Sequence, residues 1–359
     1  MFNLFELRPV QAAYTENHVD APEMYQAIRT AIHELGTFDD IVQDGRVRPG
    51  KAALWFSETA DVWDDHAAPF DASLRALYLM IRQQQIPLDV VVEGDDLSSY
   101  QALFVTDAHV SRAASRAIAA WVREGGQLVA TAGAGYLDEL NQPNTVLLDV
   151  LGIRPDAITT DASTVVRLEK EDLPFAKAMD HVHATGGAVT PVIAVRAAFA
   201  PRSAVVTARF DDERPAASHR RIGKGSAIYL GFLPGLAYLK PAYPLRPFDR
   251  KSDDDAMCHM LPTRVAEDAL PFIHVDVDRF AVASEPLVET TLVEAPEGML
   301  VPLVNWSGGS LKNLRVTVPA PVPTNQVALA SGAPVTFVYD GATLSATLNL
   351  DVADALVLR

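Results

Sequence analysis

The sequence predicts an α/β protein: a parallel sheet with helices on both faces, followed by a small antiparallel β-sandwich. Two patterns carry this. Between residues 51 and 153, short apolar runs alternate with amphipathic stretches through brief polar loops, as in sheets whose strands are joined by crossover helices. From residue 286 to the end, seven short strand-like runs are separated by Gly, Pro, Asn and Asp turns, as in a sandwich. The 359 residues, 49% hydrophobic and 21% charged, suffice for two domains with ample core material.

The elements follow in order. In "DAPEMYQAIRTAIHEL", Asp20 suits a helix cap, Pro22 and Glu23 suit a first turn, and Met24, Ile28, Ile32 and Leu35 share one helical face, with Gly36 as a stop. "KAALWFS" (51–57) reads as a buried strand and "DASLRALYLMIRQQQ" (71–85) as a helix. "PLDVVVE" (87–93) and "YQALFVTD" (100–107) read as strands. "SRAASRAIAAWVREGG" (111–126) is a helix capped by Ser111 and ended by Gly125. "QLVATAG" (127–133) is a strand, and "NTVLLDVLGI" (144–153) a short helix. From about 156 to 222 the segments "STVVRLE", "VTPVIAVRAAF" and "SAVVTARF" are strand-like with little helix between them. "HRRIGKGSAIYLGFLPG" (219–235) then supplies a glycine turn and a strand expected to return to the parallel sheet. Residues 240–285 are rich in Pro, Asp and Arg, with a helix end and a strand expected in "DALPFIHVDVDRFAV".

Charge excludes some partners. Lys and Arg number 30 against 46 Asp and Glu, a net charge of −16, so no broad basic field exists to bind nucleic acid or an anionic membrane. No run of about 18 apolar residues is present to span a bilayer, and "MFNLFELRPV" lacks the parts of a signal peptide. The single cysteine, Cys258, rules out an internal disulfide and fits a reducing compartment, so a cytoplasmic protein is expected.

In a doubly wound sheet, ligands bind where loops leave the carboxyl ends of the strands. Three such loops carry chemistry-bearing residues. The first, "SETADVWDDHAAPF" (57–70), holds Glu58, Asp61, Asp64, Asp65 and His66; the second holds Asp107 and His109; the third, "TAGAGYLDE", holds Gly133, Gly135, Asp138 and Glu139. Carboxylates and imidazoles in this arrangement suit acid–base work or a divalent metal. They equally suit acidic loops whose Asp residues start helices, as Asp71 does after Phe70. Trp63, in the polar loop, would suit stacking on a sugar or a partner chain, whereas Trp55 and Trp121 fall on core faces. "AGAGY" follows a late strand and lacks the full dinucleotide fingerprint. "GKGS" lacks the phosphate-loop spacing, so no cofactor is implied. No G-x-S-x-G occurs, and the turn after 127–133 offers Thr131 but neither Ser nor Cys as nucleophile.

The segments "IPLDVV", "DLSSYQALFV", "WVREGGQLVATAG" and "GKGSAIYLGFLPG" resemble the middle domain of family-42 β-galactosidases, the β-galactosidase trimerisation domain. The resemblance is good over about 47–155 and 219–235, and the tail, with "VPLVNWS" and "DVADALVLR", is similar to the sandwich that closes such proteins. It implies a flavodoxin-like, glutamine-amidotransferase-like α/β domain. The amidotransferase cysteine is replaced by the glycine turn, so that chemistry is not expected. It divides the chain into a helical linker (1–46) similar to the end of a TIM barrel, the α/β domain (47–240), a connector (241–285) and the sandwich (286–359). Family-42 enzymes carry their catalytic carboxylates on an upstream barrel, and only about 46 residues precede the first strand here. A non-catalytic oligomerisation and accessory module is therefore expected, with further copies of itself (a trimer by resemblance) or a TIM-barrel domain as partner. On this reading loop 57–70 is a contact surface. The alternative is a free-standing sugar-binding protein or hydrolase that uses that loop.

Overall fold

The structure is a computed structural model that describes residues 22–63, 70–161, 178–242, 265–319 and 326–359. Helices α1 (Pro22–Gly36) and α2 (Asp39–Asp44) lead into a short strand, β1 (Arg46–Val47). The α/β unit then runs β2 (Ala52–Trp55), α3 (Glu58–Trp63), α4 (Phe70–Arg82), β3 (Leu88–Val91), β4 (Ala102–Val105), α5 (Arg112–Glu124), β5 (Gln127–Ala130) and α6 (Val146–Leu151). It continues through β6 (Ile153–Thr160), β7 (Asp180–Ala184), β8 (Val189–Val192), β9 (Val195–Pro201), β10 (Val205–Phe210), β11 (Pro215–Ile222), β12 (Gly225–Leu230) and α7 (Pro234–Leu239).

Nine of these strands form one sheet in the order β3-β2-β4-β5-β12-β11-β10-β7-β8, and β6 pairs with β9 in a sheet of their own. The first five are parallel, and β12 returns beside β5 as the sequence implies. The purely parallel sheet expected from the sequence needs correction: β11, β10, β7 and β8 extend it with antiparallel pairings. Their runs are strand-like one by one, but their partners are set by long-range contacts. Strands β2 and β4 are buried at every position because helices cover both faces. Ala52, Leu54 and Phe104 face a core with Leu77, Met80 and Leu236 of α4 and α7; Ala53, Trp55 and Val105 face one with Ile118, Val122 and Leu147 of α5 and α6.

A 3₁₀ helix (Glu267–Ile273) leads to the sandwich: β13 (Val282–Ala283), β14 (Val288–Thr290), β15 (Val293–Ala295), β16 (Gly298–Asn305), β17 (Leu311–Pro319), β18 (Val327–Leu329), β19 (Val335–Tyr339), β20 (Thr343–Leu350) and β21 (Ala353–Leu358). One sheet is β1-β15-β16-β21-β18 with β14 on β16, the other β13-β17-β20-β19. Along β20, burial alternates residue by residue, as a strand with one face on a core requires. The first expected run, "PLVETTLVEA", splits into β14 and β15.

The amino-terminal helices are joined to this sandwich. Phe38 and Ile41 pack on Leu300, Ala355 and Val357, and Arg359 grips Asp40 through two nitrogens at 2.6 and 2.7 Å. On the apolar face expected for α1, Leu35 packs against this cluster and Ile28 is half-buried, while Ile32 stays 52% exposed. Among the described residues, no helix is long and apolar enough to cross a membrane.

Candidate functional site

The parallel strands run second-first-third along one edge, so the chain reverses direction between β2 and β4. Ligand crevices form at such a reversal. The three loops singled out in the sequence meet there, and their backbones are laced together. Gly135 N–H donates to the Asp107 carbonyl at 2.9 Å, Leu137 N–H to the Ala108 carbonyl at 3.1 Å, and Val110 N–H to the Leu137 carbonyl at 3.0 Å.

The segment 57–70 is not wholly a loop. Ser57 lies two residues after β2 and caps a six-residue helix: its Oγ accepts from Ala60 N–H at 3.2 Å. The same hydroxyl donates to the His109 carbonyl at 2.6 Å, and Ser57 N–H donates to Asp107 Oδ2 at 2.8 Å. Glu58 and Asp61 lie on α3, exposed. Asp64, Asp65 and His66 lie outside the described residues, as do Cys258 and the run "STVVRLE". Asp71, where the sequence suggested a cap, is the second residue of α4, which begins at Phe70.

His109 is 6% exposed, and its Nε2 shares a hydrogen bond with Asn141 Oδ1 at 2.9 Å. Trp63 stacks over it, with centroids 6.0 Å apart and planes 15° apart, and donates its indole N–H to the Glu139 carbonyl at 3.1 Å. The third loop is held by Arg112. Its Nε contacts buried Asp138 at 2.6 Å, while Asp138 Oδ1 accepts from Leu140 and Gln142 N–H at 2.9 and 2.8 Å. Burial pushes the Asp138 carboxyl up, but the Gln142 N–H, the Arg112 guanidinium and the Leu140 N–H outweigh it, so the group sits below the usual carboxylate range. Glu139 is held low chiefly by the Arg112 N–H, which it accepts at 2.8 Å at the start of α5.

Behind the glycine turn, Tyr136 and Tyr229 share a hydrogen bond of 2.6 Å. Burial drives both hydroxyls upward, Tyr229 to about 12, so both stay protonated near neutrality. Gly135 has φ +65, and a Cβ there would come within 2.6 Å of Leu147 Cδ1. Thr131 is fully buried and donates to Thr106 Oγ1 at 2.8 Å, so the turn presents no nucleophile. Among the described residues, no group of three or more His, Cys, Asp or Glu is placed to hold a metal ion.

The structure thus brings Trp63, Asp107 and His109 together with Asp138 and Glu139. Sequence reasoning missed Ser57, Arg112, Asn141 and the exposed Val62 and Leu140. Ser57 could have been found: a Ser directly before Glu58-Thr59-Ala60 is a helix-start signature.

Comparison with known proteins gives the following. The family described as the β-galactosidase trimerisation domain matches residues 51–244. No curated protein matches the chain. Among solved structures, β-galactosidase from Bacillus circulans sp. alkalophilus is similar, at TM-score 0.64 and 15% identity over 96% of this chain and 46% of that one. A catalytic mutant of a GH42 β-galactosidase from G. stearothermophilus aligns at TM-score 0.58 and 19% identity, over 95% and 44%. Alpha-L-fucosidase isoenzyme 2 from Paenibacillus thiaminolyticus aligns at 0.63 and 14%, over 94% and 52%. The chain therefore spans about half the length of these proteins, and identities this low speak to fold alone. With the family match covering more than half of its residues, the chain belongs to the β-galactosidase trimerisation domain family.

Proposed function

We propose that this chain is an assembly module of a β-galactosidase-like glycoside hydrolase, acting in carbohydrate metabolism without catalysing a reaction itself. It associates with copies of itself, three by the family's description, and helps wall a sugar site carried by a TIM-barrel domain. The observation that carries the reading is a contrast at the strand ends. Ser57, Asp138 and Glu139 engage backbone groups and Arg112 there. Beside them Val62, Trp63 and Leu140 stand 79, 45 and 70% exposed. The Trp63–Glu139 bond joins the helix that carries Val62 and Trp63 to the loop that carries Leu140. Neighbouring exposed apolar groups of this kind suit a protein contact.

The order of the parallel strands supports reading the α/β unit as flavodoxin-like, and similar to glutamine amidotransferases with a glycine turn where their cysteine stands. On this reading residues 1–46 are the linker, 47–240 the α/β domain, 241–285 the connector and 286–359 the sandwich. A free-standing sugar-binding protein or hydrolase that uses loop 57–70 has less support: Glu58 and Asp61 lie exposed on α3, and among the described residues no group of three or more His, Cys, Asp or Glu is placed to hold a metal ion.

Sedimentation of the chain and of Val62→Asp/Leu140→Asp tests the assembly reading. The parent is expected to sediment as an oligomer and the variant as a monomer. A monomeric parent, or an unchanged variant, would overturn it. Turnover of an aryl β-galactoside by the purified chain, abolished by substituting one carboxylate, would overturn the non-catalytic part.

A further inference from the structure

Strand β19 (Val335–Tyr339) closes one side of the sheet β13-β17-β20-β19, and among the described residues no strand pairs with its outer edge. The turn after it shows which way its backbone groups point. Asp340 N–H donates to the Thr343 carbonyl at 3.2 Å, and these two residues stand opposite each other, one step beyond the Tyr339–Leu344 pair. Hydrogen-bonded and non-hydrogen-bonded pairs alternate in an antiparallel ladder, so Val338–Ser345 and Thr336–Thr347 are the next bonded pairs. The N–H and C=O groups of Val335 and Phe337 therefore point away from β20. Sheet edges are usually blunted by shortness, charge, proline or a bulge. The other strands at sheet ends follow that rule: β1, β13, β14 and β18 have two or three residues, β3, β6 and β9 carry charged residues, and β8 carries Pro191. The five residues of β19 have none of these devices. Their register on β20 is unbroken, no charged residue lies between Leu329 and Tyr339, and Phe337 and Val338 stand 39 and 72% exposed.

We propose that β19 pairs with β19 of a second copy of this chain, antiparallel about a two-fold axis at Phe337, so that two sheets of the sandwich become one continuous sheet. The outward groups set the register. Phe337 opposite its own copy exchanges N–H···O=C bonds in both directions. Val335 then stands across from Tyr339, and Thr336 across from Val338. Each cross-strand pair is aromatic or β-branched, the kind that stabilises sheets. Charge favours the same partner. The chain carries a net charge of −16, so two copies repel unless they meet where no carboxylate faces another. The carboxylate next to the strand in sequence is that of Asp340, and this register sets Asp340 opposite Pro334 of the other copy. The two Asp340 residues are then six positions apart along the ladder, about 20 Å at about 3.4 Å per residue, well beyond the Debye length of about 8 Å. A two-fold contact of this kind is self-complementary and closes at two copies. The inference does not rest on the assembly role proposed above, which uses Val62, Trp63 and Leu140 of the α/β unit.

The test is sedimentation velocity and amide hydrogen exchange on the full chain, parent and Val62→Asp/Leu140→Asp, from about 10 µM to about 1 mM, the range of a contact smaller than a stable dimer interface. In the double variant a reversible dimer is expected to form as concentration rises, and the Val335 and Phe337 amides to exchange more slowly in step with it. Val338→Lys changes an exposed side chain and should leave the melting temperature close to that of its background. It places a charge on the edge and should raise the dissociation constant at least about tenfold. Thr336→Lys, also exposed, should do the same. Amides equally slow at every concentration would mean that another part of the same chain covers the edge. Amides fast at every concentration would leave the edge to a different protein. Dimerisation that neither lysine changes would put the contact elsewhere. Each of these results would overturn the proposal. Because the pairing is read in the double variant and at the β19 amides, a failure of the assembly reading stays separate from a failure here.

Discussion

Arg82→Met should loosen the joint between the α/β unit and the sandwich. Arg82 lies at the end of α4, 7% exposed. Its Nε donates to Glu289 Oε1 at 3.0 Å, its Nη2 to the Thr290 carbonyl at 2.9 Å and the Thr291 hydroxyl at 2.8 Å, and its Nη1 to the Ile86 carbonyl at 3.3 Å. The other Glu289 oxygen accepts the Trp306 indole N–H at 3.1 Å. Methionine keeps most of the stem but none of the donors, so Glu289 stays at the seam without its counter-ion. Removing one partner of a buried pair costs about 3–5 kcal/mol. The Glu289 side chain retains 21% exposure, and rehydration puts the loss at the lower end, about 3 kcal/mol. At about 2–4 °C per kcal/mol for units of 150–250 residues, the melting temperature should drop by about 6–12 °C. Trp306 reports on the seam, so its share of the fluorescence, obtained by difference against Trp306→Phe, should change before far-UV circular dichroism does. Arg82→Met/Glu289→Met should recover part of the loss, because an apolar pair carries no desolvation penalty. Coincident transitions within about 2 °C of the parent, or a double variant weaker than the single, would refute the reasoning.

Three further outcomes follow from the same contacts. Ser57→Ala removes a helix cap and a donor to the His109 carbonyl, and should lower stability by about 1–2 kcal/mol in urea unfolding. Gly225→Ala would place a Cβ 2.1 Å from the Val122 carbonyl oxygen and 2.3 Å from that of Gly126. It should destabilise by at least about 2 kcal/mol, the strain of forced overpacking, and a melting curve like the parent's would contradict it. His183 and then His181 hold the Asp211 carboxyl down from 3.8 to about 2. A depressed folded value stabilises above the unfolded value, and that contribution drains as pH falls from 3.8 to about 2. Across that window, urea midpoints should fall further for the parent than for Asp211→Asn.

Much of the fold was legible because burial on both faces leaves near-continuous apolar runs. "AALW" and "ALFV" announce themselves as central strands. The antiparallel half was not legible as part of the same sheet. A run such as Val205–Phe210 states that it is a strand, but its pairings with β11 and β7 are fixed by contacts the local sequence does not encode. The site divides in the same way. Asp107 and His109 could be named from their place after a strand. What each does depends on partners far along the chain: Ser57, fifty residues before Asp107, and Asn141, thirty-two after His109. Val62 and Leu140 were missed because an apolar residue in sequence reads as core, and only the fold reveals that these two face outward.

The reversal between β2 and β4 explains why contact rather than chemistry is the role proposed for this edge. Elsewhere such a reversal splays two loops apart and leaves a crevice for a ligand. Here Ser57 ties the loops together twice, through its N–H to Asp107 and its hydroxyl to the His109 carbonyl. A ligand entering between the strand ends would have to break both bonds, and each buried group that loses a donor costs about 1–3 kcal/mol. It would also have to lift Trp63 from His109. With Ser57, Asp138 and Glu139 already engaged by the chain itself, Val62, Trp63 and Leu140 are the apolar side chains that this edge leaves exposed, which is what a contact surface requires.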